Sequence, residues 1–390
     1  ALAGAYWRVP TPAAPGFTPP PAAVPSTLPA LFVNEMLWRD AALSAAAPNL
    51  TELPDGRVAA AWVAGPDGGM NVRFSVRERD GWRQPVVIAS QESTAGGTFA
   101  HVGTVGNPVL HAEGSWLHLW YVSSMLASSI NHSVSTDGGK SWTKPTRLQT
   151  SPFANFGDEV RTAPLPLADG GLGLPISHDF ISRNGAWLRL SATGQIVDKV
   201  RMTHDVRTLQ PAVVALDTQR AIALLRDAGP GPGKVQVARS ADGGQSWQAG
   251  PALDIRNPNS SVALLRLRSG RLLLAGNLPN GREALLLWIS ADEGQTWQAS
   301  RTIESAPDGG AEFSYPSLLL GRDGRIHPWA ANGAETHVRW FAGNIRREDR
   351  RPTDIPRRRP LRNRRFRHRL RRGGETFANG CACGSSGSST

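Results

Sequence analysis

Cysteine is almost absent from this sequence: its 390 residues include two, Cys381 and Cys383, both close to the C-terminus. Two cysteines separated by one residue cannot form a disulfide framework or supply four ligands to a structural zinc ion. Long apolar runs are also missing, and no stretch approaches the roughly 18 residues that cross a bilayer. We therefore expect no metal site, no cofactor and no membrane-spanning segment. The sequence does not distinguish a cytoplasmic from an exported protein.

Basic residues exceed acidic ones, but the excess comes from a single segment. The formal net charge is +11, from 43 lysines and arginines against 32 aspartates and glutamates. Residues 346–372 contain 14 of the arginines and three of the acids, which accounts for the whole excess. The remaining chain is neutral, so we expect no specific nucleic-acid partner.

Both ends of the chain have compositions that argue against packing. Residues 1–31 contain eight prolines among alanines, a composition that favours extended polyproline conformations and indicates a leader or linker. Residues 346–390 combine the arginine-rich run with a Gly/Ser-rich end, and we expect them to be disordered. Two interpretations of this tail stay open: a genuine low-complexity segment, or a shifted reading frame of a GC-rich gene.

Residues 32–345 have the pattern of an all-β domain. Short apolar runs of β-type, such as residues 57–63, 116–122 and 271–275, alternate with clusters of Gly, Asp and Asn. Long stretches of helical periodicity are lacking. The pattern therefore predicts many short strands joined by turns.

An internal repeat is the strongest pattern in this domain. Three segments share the spacing S-x-D-x-G-x-x-W, which predicts a turn between two strands. The Asp and Ser side chains can hydrogen-bond the turn backbone, the Gly permits a positive φ, and the Trp covers the turn. We interpret these residues as structural. They are Ser135, Asp137, Gly139 and Trp142; Ser240, Asp242, Gly244 and Trp247; and Ser290, Asp292, Gly294 and Trp297.

A second element recurs six times, as a strand that typically ends in Leu, Asp and Gly. Repeats of about 50 residues, each with a few strands and a tight turn, indicate a β-propeller. The sequence therefore predicts six blades, with residues 31–38 closing the ring on the last blade. The six copies begin at residues 48, 107, 162, 210, 257 and 315.

The S-x-D-x-G-x-x-W segments resemble the Asp-box, or bacterial neuraminidase repeat, of the sialidase superfamily of six-bladed propellers. Asn257-Pro-Asn-Ser260 and Glu312-Phe-Ser-Tyr-Pro316 resemble segments of its bacterial predicted-neuraminidase branch. The resemblance implies an exo-α-sialidase type of glycoside hydrolase. In that chemistry arginines bind the sugar carboxylate, a tyrosine attacks the anomeric carbon, and an aspartic acid transfers protons.

Carried over to this sequence, the resemblance implies that Arg226 and Arg282 bind the carboxylate and that Tyr315 is the nucleophile. It implies Asp67 as the acid–base residue, and Glu312 is the carboxyl group beside Tyr315. The other candidate substrate-binding residues are Gln210, Asn257, Asn259 and His178.

Two positions depart from the pattern of the superfamily. Residues 46–49 have no base where the first arginine is expected, and Gln210 replaces the glutamate that activates the tyrosine. Two alternatives to a sialidase therefore stay open. One is a non-catalytic glycan-binding propeller, and the other is a rhamnosidase-type or lyase-type enzyme that uses His178 or His204. In each case the expected partner is a glycan, a sialoside or another acidic sugar, and the expected state is a monomer.

Overall fold

The computed structural model describes residues 13–19, 32–40, 43–66, 69–151, 156–204, 206–231, 233–277, 281–306, 311–332 and 337–343. All of them lie in the first of two units into which the chain divides, Ala1–Pro352. The second unit, Thr353–Thr390, lies outside the described residues, as do the arginine-rich run and both cysteines.

The described chain forms 28 strands and one short helix, α1 (Gln91–Thr98). The first strand is β1 (Phe32–Arg39). The first blade contains β2 (Ser44–Glu52), β3 (Val58–Gly65), β4 (Asn71–Glu78), β5 (Gly81–Trp82) and β6 (Val86–Ala89). The second blade contains β7 (Thr104–Glu113), β8 (Trp116–Ser124), β9 (Ser128–Ser135) and β10 (Thr146–Arg147). The third contains β11 (Asp158–Val160), β12 (Leu165–Pro166), β13 (Leu172–Asp179), β14 (Arg183–Leu190) and β15 (Ile196–Arg201).

The fourth blade contains β16 (Thr208–Ala215), β17 (Ala221–Asp227), β19 (Gln236–Ser240) and β20 (Gln248–Gly250). A separate two-stranded ribbon is formed by β18 (Gly233–Lys234), which precedes β19, and β21 (Arg256–Asn257), which precedes the fifth blade. That blade contains β22 (Ala263–Arg266), β23 (Leu272–Asn277), β24 (Ala284–Ser290) and β25 (Gln298–Ser305). The last strands are β26 (Phe313–Leu320), β27 (Ile326–Asn332) and β28 (His337–Gly343).

The prediction of an all-β propeller is confirmed, but the predicted count of six blades is wrong, since the propeller arrangement has five. Five sheets are each built from strands that are close together in the chain. The remaining four-stranded sheet combines both ends of the domain, because β1 pairs antiparallel with β28 beside β27 and β26. We call it the closing sheet. Its strand β26 packs against β2 on one side and β22 on the other, so it joins the first blade to the fifth.

Apolar side chains between neighbouring sheets form the core. One buried cluster joins the fourth and fifth blades through residues such as Ile222, Leu224 and Leu274. Another lies between the fifth blade and the closing sheet and includes Leu273 and Phe313. Each interface between sheets is thus a small hydrophobic core, and burial of apolar area at these interfaces stabilises the ring.

The innermost strand of several sheets contains a one-residue bulge at a residue followed by proline. The register of pairing shifts around Ala47 in β2, Asn107 in β7, Gln210 in β16 and Tyr315 in β26. All four residues have positive φ values, between 46° and 54°. Positive φ is uncommon outside glycine, and proline cannot donate to the sheet, so the chain bends here.

The three S-x-D-x-G-x-x-W segments form turns between the third and fourth strands of their blades, as predicted. In the last one, the Ser290 hydroxyl accepts from the Gly294 amide at 2.9 Å and donates to Asp292 Oδ1 at 2.8 Å. Asp292 also accepts from the Thr296 amide and hydroxyl. These hydrogen bonds, above all the one from the Thr296 hydroxyl, lower the pKa of Asp292 to about 2.

Part of the proline-rich segment packs on the propeller, which its composition did not predict. Phe17 is fully buried beside Leu167 and Trp187, with its ring edge-on to Trp187 at 5.9 Å. Its amide donates to the Thr218 carbonyl at 2.8 Å. A single aromatic side chain therefore anchors residues 13–19 between the third and fourth blades, because it buries a large apolar area.

The helix α1 connects the first and second blades, and the Ser90 side chain caps its N-terminus by accepting from the Ser93 amide. Within the described part of the chain, no helix is long and apolar enough to cross a membrane.

We predict that Asp292→Ala lowers the free energy of unfolding by about 1–3 kcal/mol, because the turn loses an acceptor of several hydrogen bonds. Chemical denaturation monitored by tryptophan fluorescence measures the change. Asp254→Ala is the matched control, since that fully exposed carboxylate makes one ion pair, with Lys234, and should have an effect near zero. Equal losses in the two variants would contradict the assigned role.

Candidate functional site

Four of the candidate site residues lie at one edge of the ring. The strands pair antiparallel, so the innermost strand begins, and the second strand ends, at the same edge of each sheet. We call this the funnel edge. Tyr315 and Gln210 lie near the start of innermost strands, Arg226 near the end of β17, and Arg282 in the loop before β24. The Asp-box turns lie at the opposite edge.

Arg226 and Arg282 are held by the same residue, Asn259. Arg226 Nε donates to Asn259 Oδ1 at 2.7 Å, and Arg282 Nη2 donates to the Asn259 carbonyl at 2.9 Å. Neither arginine forms an ion pair with a carboxylate of the described residues. Two guanidinium groups close together without a counter-ion create a site that favours an anion, above all a planar carboxylate.

Further contacts tie this arginine pair to its neighbours around the funnel. Arg226 Nη1 donates to Gln210 Oε1 at 3.3 Å, so the fourth blade contributes both residues. The Arg282 carbonyl accepts from the Phe313 amide at 2.7 Å, which joins the fifth blade to the start of β26, two residues before Tyr315. Gln210, with its neutral amide, orients Arg226 without cancelling its charge.

Arg161 crosses the central channel from the third blade to the closing sheet, which are not neighbours in the ring. Its Nη2 donates to the Tyr315 carbonyl at 2.7 Å and to the Pro316 carbonyl at 3.3 Å, while its guanidinium lies 5.4 Å from the centre of the Tyr315 ring. The residue is 2% exposed. Burial lowers the pKa of Arg161 to about 10. The Arg161 guanidinium thus stabilises the bulge at Tyr315 by hydrogen bonds and a cation–π contact.

Glu159 lies in β11, two residues before Arg161. Its Oε1 accepts from the Ser128 hydroxyl at 2.7 Å. Desolvation by burial raises the pKa of Glu159, and the negative charges of Asp179 and Asp158 add to this effect, while the Ser128 hydrogen bond and Arg226 oppose it. The result is a carboxyl group near the arginine pair that retains its proton more readily than an exposed glutamate.

His178 belongs to a separate polar cluster beside the funnel. Its Nδ1 lies 3.2 Å from Asp158 Oδ1, and Lys199 Nζ lies 2.6 Å from Asp158 Oδ2. The Thr150 hydroxyl also donates to Asp158. Asp158 is buried and its pKa is lowered, since these partners outweigh the desolvation that would raise it. His178 therefore has a charged partner within the fold.

The remaining candidates, Asn257, Glu312, His204 and Asp67, do not share one environment. Asn257 is buried and stabilises its own loop, because its side chain donates to the Ser260 carbonyl and accepts from the Ser260 amide. Glu312 and His204 are exposed at the funnel edge. Asp67 lies outside the described residues. Among the described residues, no group of three His, Cys, Asp or Glu side chains could hold a metal ion.

Arg161 and Glu159 were not among the site residues that the sialidase resemblance implied; the sequence indicated them, with Asp158, only as polar residues before the third blade that could form a site of different chemistry. The sequence segment Asp158-Glu-Val-Arg161 has alternating charged residues just before the third blade, which is the available signal. Their importance depends on contacts with residues far away in the chain, Tyr315 and Arg226, and no local pattern indicates those contacts.

Comparison with solved structures shows where this fold occurs. A protein of unknown function from Dyadobacter fermentans superposes with a TM-score of 0.67 at 17% identity, covering 80% of this chain and 98% of the other. A Hadza microbial sialidase gives 0.64 at 14% identity, covering 77% and 66%. Trypanosoma rangeli sialidase in complex with the inhibitor DANA gives 0.61 at 16% identity, covering 77% and 55%. This chain thus spans about half to two-thirds of the two sialidase chains, and at these identities the likeness shows the fold alone.

The architecture is that of the sialidase and BNR-repeat superfamily. The model of the BNR repeat-like domain matches residues 56–327, and the chain belongs to that family. A search of curated proteins gave no match.

The two asparagines of residues 257–259 should respond to mutation in opposite ways. We predict that Asn259→Gly weakens binding of an acidic sugar about tenfold, because Arg226 loses its orienting acceptor, and changes stability by less than about 1 kcal/mol, since glycine readily adopts the positive φ of residue 259. Asn257→Ala should lower the free energy of unfolding by about 1–3 kcal/mol through two lost buried hydrogen bonds. Calorimetric binding and thermal unfolding measure both effects. The reverse pattern would contradict the placement of these residues.

Proposed function

We propose that the protein is a sialidase-like glycoside hydrolase that acts on a terminal acidic sugar of a glycan. Arg226 and Arg282 bind the carboxylate of the sugar, and Tyr315 is the nucleophile. The observation that carries this proposal is the convergence of the two arginines on Asn259, at 2.7 and 2.9 Å, without a carboxylate of the described residues to neutralise them. The sialidases among the structural neighbours support it, since they share the fold.

A tyrosine nucleophile suits an anionic substrate, because a neutral phenol approaches a carboxylate sugar without the repulsion that a carboxylate nucleophile would suffer. In the first step the bond from Tyr315 Oη to the anomeric carbon forms while the glycosidic bond breaks. The phenolic proton passes to water in the funnel. In the second step water hydrolyses the tyrosyl intermediate, and the phenol regains a proton.

Proton transfer to the leaving oxygen requires a carboxylic acid, and Glu159 is the described carboxyl group best suited to it. Burial raises its pKa, and it lies near Arg226. It protonates the leaving group in the first step and accepts a proton from the attacking water in the second, so its own protonation state is restored. Asp67 and Glu312 stay predictions for catalytic roles.

The second candidate function is glycan binding without cleavage. It is favoured by Gln210, whose neutral side chain contacts Arg226 and cannot accept the phenolic proton as a glutamate would. The absence of a base at residues 46–49 also reduces the number of arginines available for the carboxylate. Both functions use the same anion site, and turnover distinguishes them.

We predict that the full chain releases the fluorophore from a fluorogenic sialoside and that Tyr315→Phe abolishes this release while binding of the free sugar changes less than about threefold, because only the nucleophilic oxygen is removed. The measurement is initial rate together with calorimetric affinity. A panel of uronides and rhamnosides, tested in parallel, identifies other sugar classes.

Trp116→Phe is the matched control for that experiment, since Trp116 is an exposed aromatic residue at the opposite edge. Full activity in Tyr315→Phe would exclude Tyr315 as the nucleophile. Binding of an acidic sugar by the native chain without turnover would favour the second candidate function.

The pH dependence tests the role of Glu159. We predict that kcat/KM falls on the alkaline side, where Glu159 loses its proton, and that Glu159→Gln lowers kcat by about 10²–10⁴-fold and removes this alkaline limb. Asp179→Asn should keep most activity but move the limb to lower pH, because Asp179 helps to raise the pKa of Glu159. An unchanged profile in Glu159→Gln would assign the proton to another group.

A further inference from the structure

Large apolar side chains are exposed on one arc of the funnel edge. They come from the segment before β7, from the β8–β9 loop, from the segment before β11 and from the β13–β14 loop. Three are almost fully exposed, at 95% for Phe99, 93% for Leu126 and 89% for Ile181. We call this set the apolar rim, and its members are Phe99, Met125, Leu126, Phe156, Phe180 and Ile181.

Backbone hydrogen bonds join the segments that carry the apolar rim over the second and third blades. The Gly103 amide donates to the Ser124 carbonyl at 2.8 Å, which joins the first segment to the β8–β9 loop. The Gly157 amide donates to the Ser128 carbonyl at 2.8 Å, which joins that loop to the next segment. The rings of Phe156 and Phe180 lie 6.0 Å apart. Exposed apolar side chains grouped on neighbouring loops in this way indicate an interaction site.

Positive charge flanks the apolar rim. Arg201 and Arg207 are exposed at the same edge, and neither forms an ion pair with a carboxylate of the described residues. Arg201 Nη2 instead donates to the Ser182 hydroxyl at 3.1 Å, next to Ile181. The carboxylate of Asp179 is paired with Arg183 at 2.8 Å. The surface therefore combines protruding apolar tips with uncompensated guanidinium groups.

We propose that the apolar rim docks on an anionic lipid surface, with Phe99, Leu126 and Ile181 inserted among the lipids and Arg201 and Arg207 at the headgroups. Apolar tips with flanking arginines match the chemistry of that interface, where apolar side chains reach the acyl boundary and basic ones contact anionic headgroups. The tips protrude rather than line a groove, which favours a deformable surface over a small ligand. The charges favour an anionic lipid over a second copy of the same basic surface.

Docking in this orientation turns the funnel toward the lipid. Together with the proposed function, on which this consequence rests, this docking favours glycans carried by lipids as substrates. The docking itself needs no turnover. A failure of hydrolysis and a failure of lipid binding are therefore separate results.

The test places an environment-sensitive fluorophore at Leu126→Cys in the full chain, with Cys381→Ser and Cys383→Ser to leave one thiol. The matched control carries the label at Val87→Cys, a half-exposed position on β6. Vesicles of phosphatidylcholine alone are compared with an equal mixture of phosphatidylcholine and phosphatidylglycerol. Because residues 346–372 can bind anionic lipid by charge alone, measurements are repeated at about 0.5 M salt, which screens exposed charges.

We expect a blue shift and a rise in emission for the label at position 126 on anionic vesicles, and little change at position 87. The variant Phe99→Ser, Leu126→Ser, Ile181→Ser should lose about tenfold or more in vesicle partitioning, whereas Val86→Ser, Val87→Ser, Val197→Ser should not. Equal responses at the two labelled positions, or none at position 126, would overturn the proposal. So would a response at position 126 that follows protein concentration without vesicles, because it would assign the rim to a second copy.

Discussion

The site depends on a backbone constraint that recurs around the ring: the innermost strand bends at a non-glycine residue with positive φ, followed in most cases by proline. Such a conformation costs about 1–2 kcal/mol per residue and persists only where the surrounding structure enforces it. Gln210 and Tyr315 have it on innermost strands, and Asn259 has it in the segment before β22. At these bends Gln210 contacts Arg226, and Asn259 contacts both Arg226 and Arg282. Packed sheets on both sides hold the strands and so maintain the strain.

The charges of the funnel follow from that geometry. Asn259 presents its side-chain oxygen to Arg226 and its carbonyl to Arg282, so one bent residue sets the positions of two cations. Arg161 stabilises the bend at Tyr315 from the opposite side of the channel. Neutral amides and carbonyls orient these arginines, so little of their charge is cancelled within the described structure. The electrostatic consequence is a site whose guanidinium groups favour a bound anion.

Local sequence patterns predicted the local structure well. The Asp-box spacing predicted turns whose hydrogen bonds the structure contains, and the apolar runs predicted the strands. The predicted closure of the ring by residues 31–38 agrees with the pairing of β1 with β28, whereas the predicted count of six blades is wrong, because repeat counting treats the closing sheet as a further blade. Phe17 was missed because its burial depends on a groove between two blades that a proline-rich composition does not indicate.

A motif supplied the candidate site residues. Arg226, Arg282 and Tyr315 were implied by the sialidase resemblance and their roles stay predictions, while the structure links the first two through Asn259. Arg161 and Glu159 have no such motif, and their roles arise from contacts across the channel. Asn257 and Asn259 share one motif, yet Asn257 hydrogen-bonds its own loop and Asn259 hydrogen-bonds the two arginines.

The central claim is that the arginine pair recognises a carboxylate. The most direct measurement is the calorimetric affinity of the full chain for an acidic monosaccharide and for its methyl ester, which keeps the shape and removes the charge. The account predicts that esterification weakens binding by about a hundredfold, as expected for the loss of a charge-assisted bidentate contact. Equal affinities for acid and ester would contradict it.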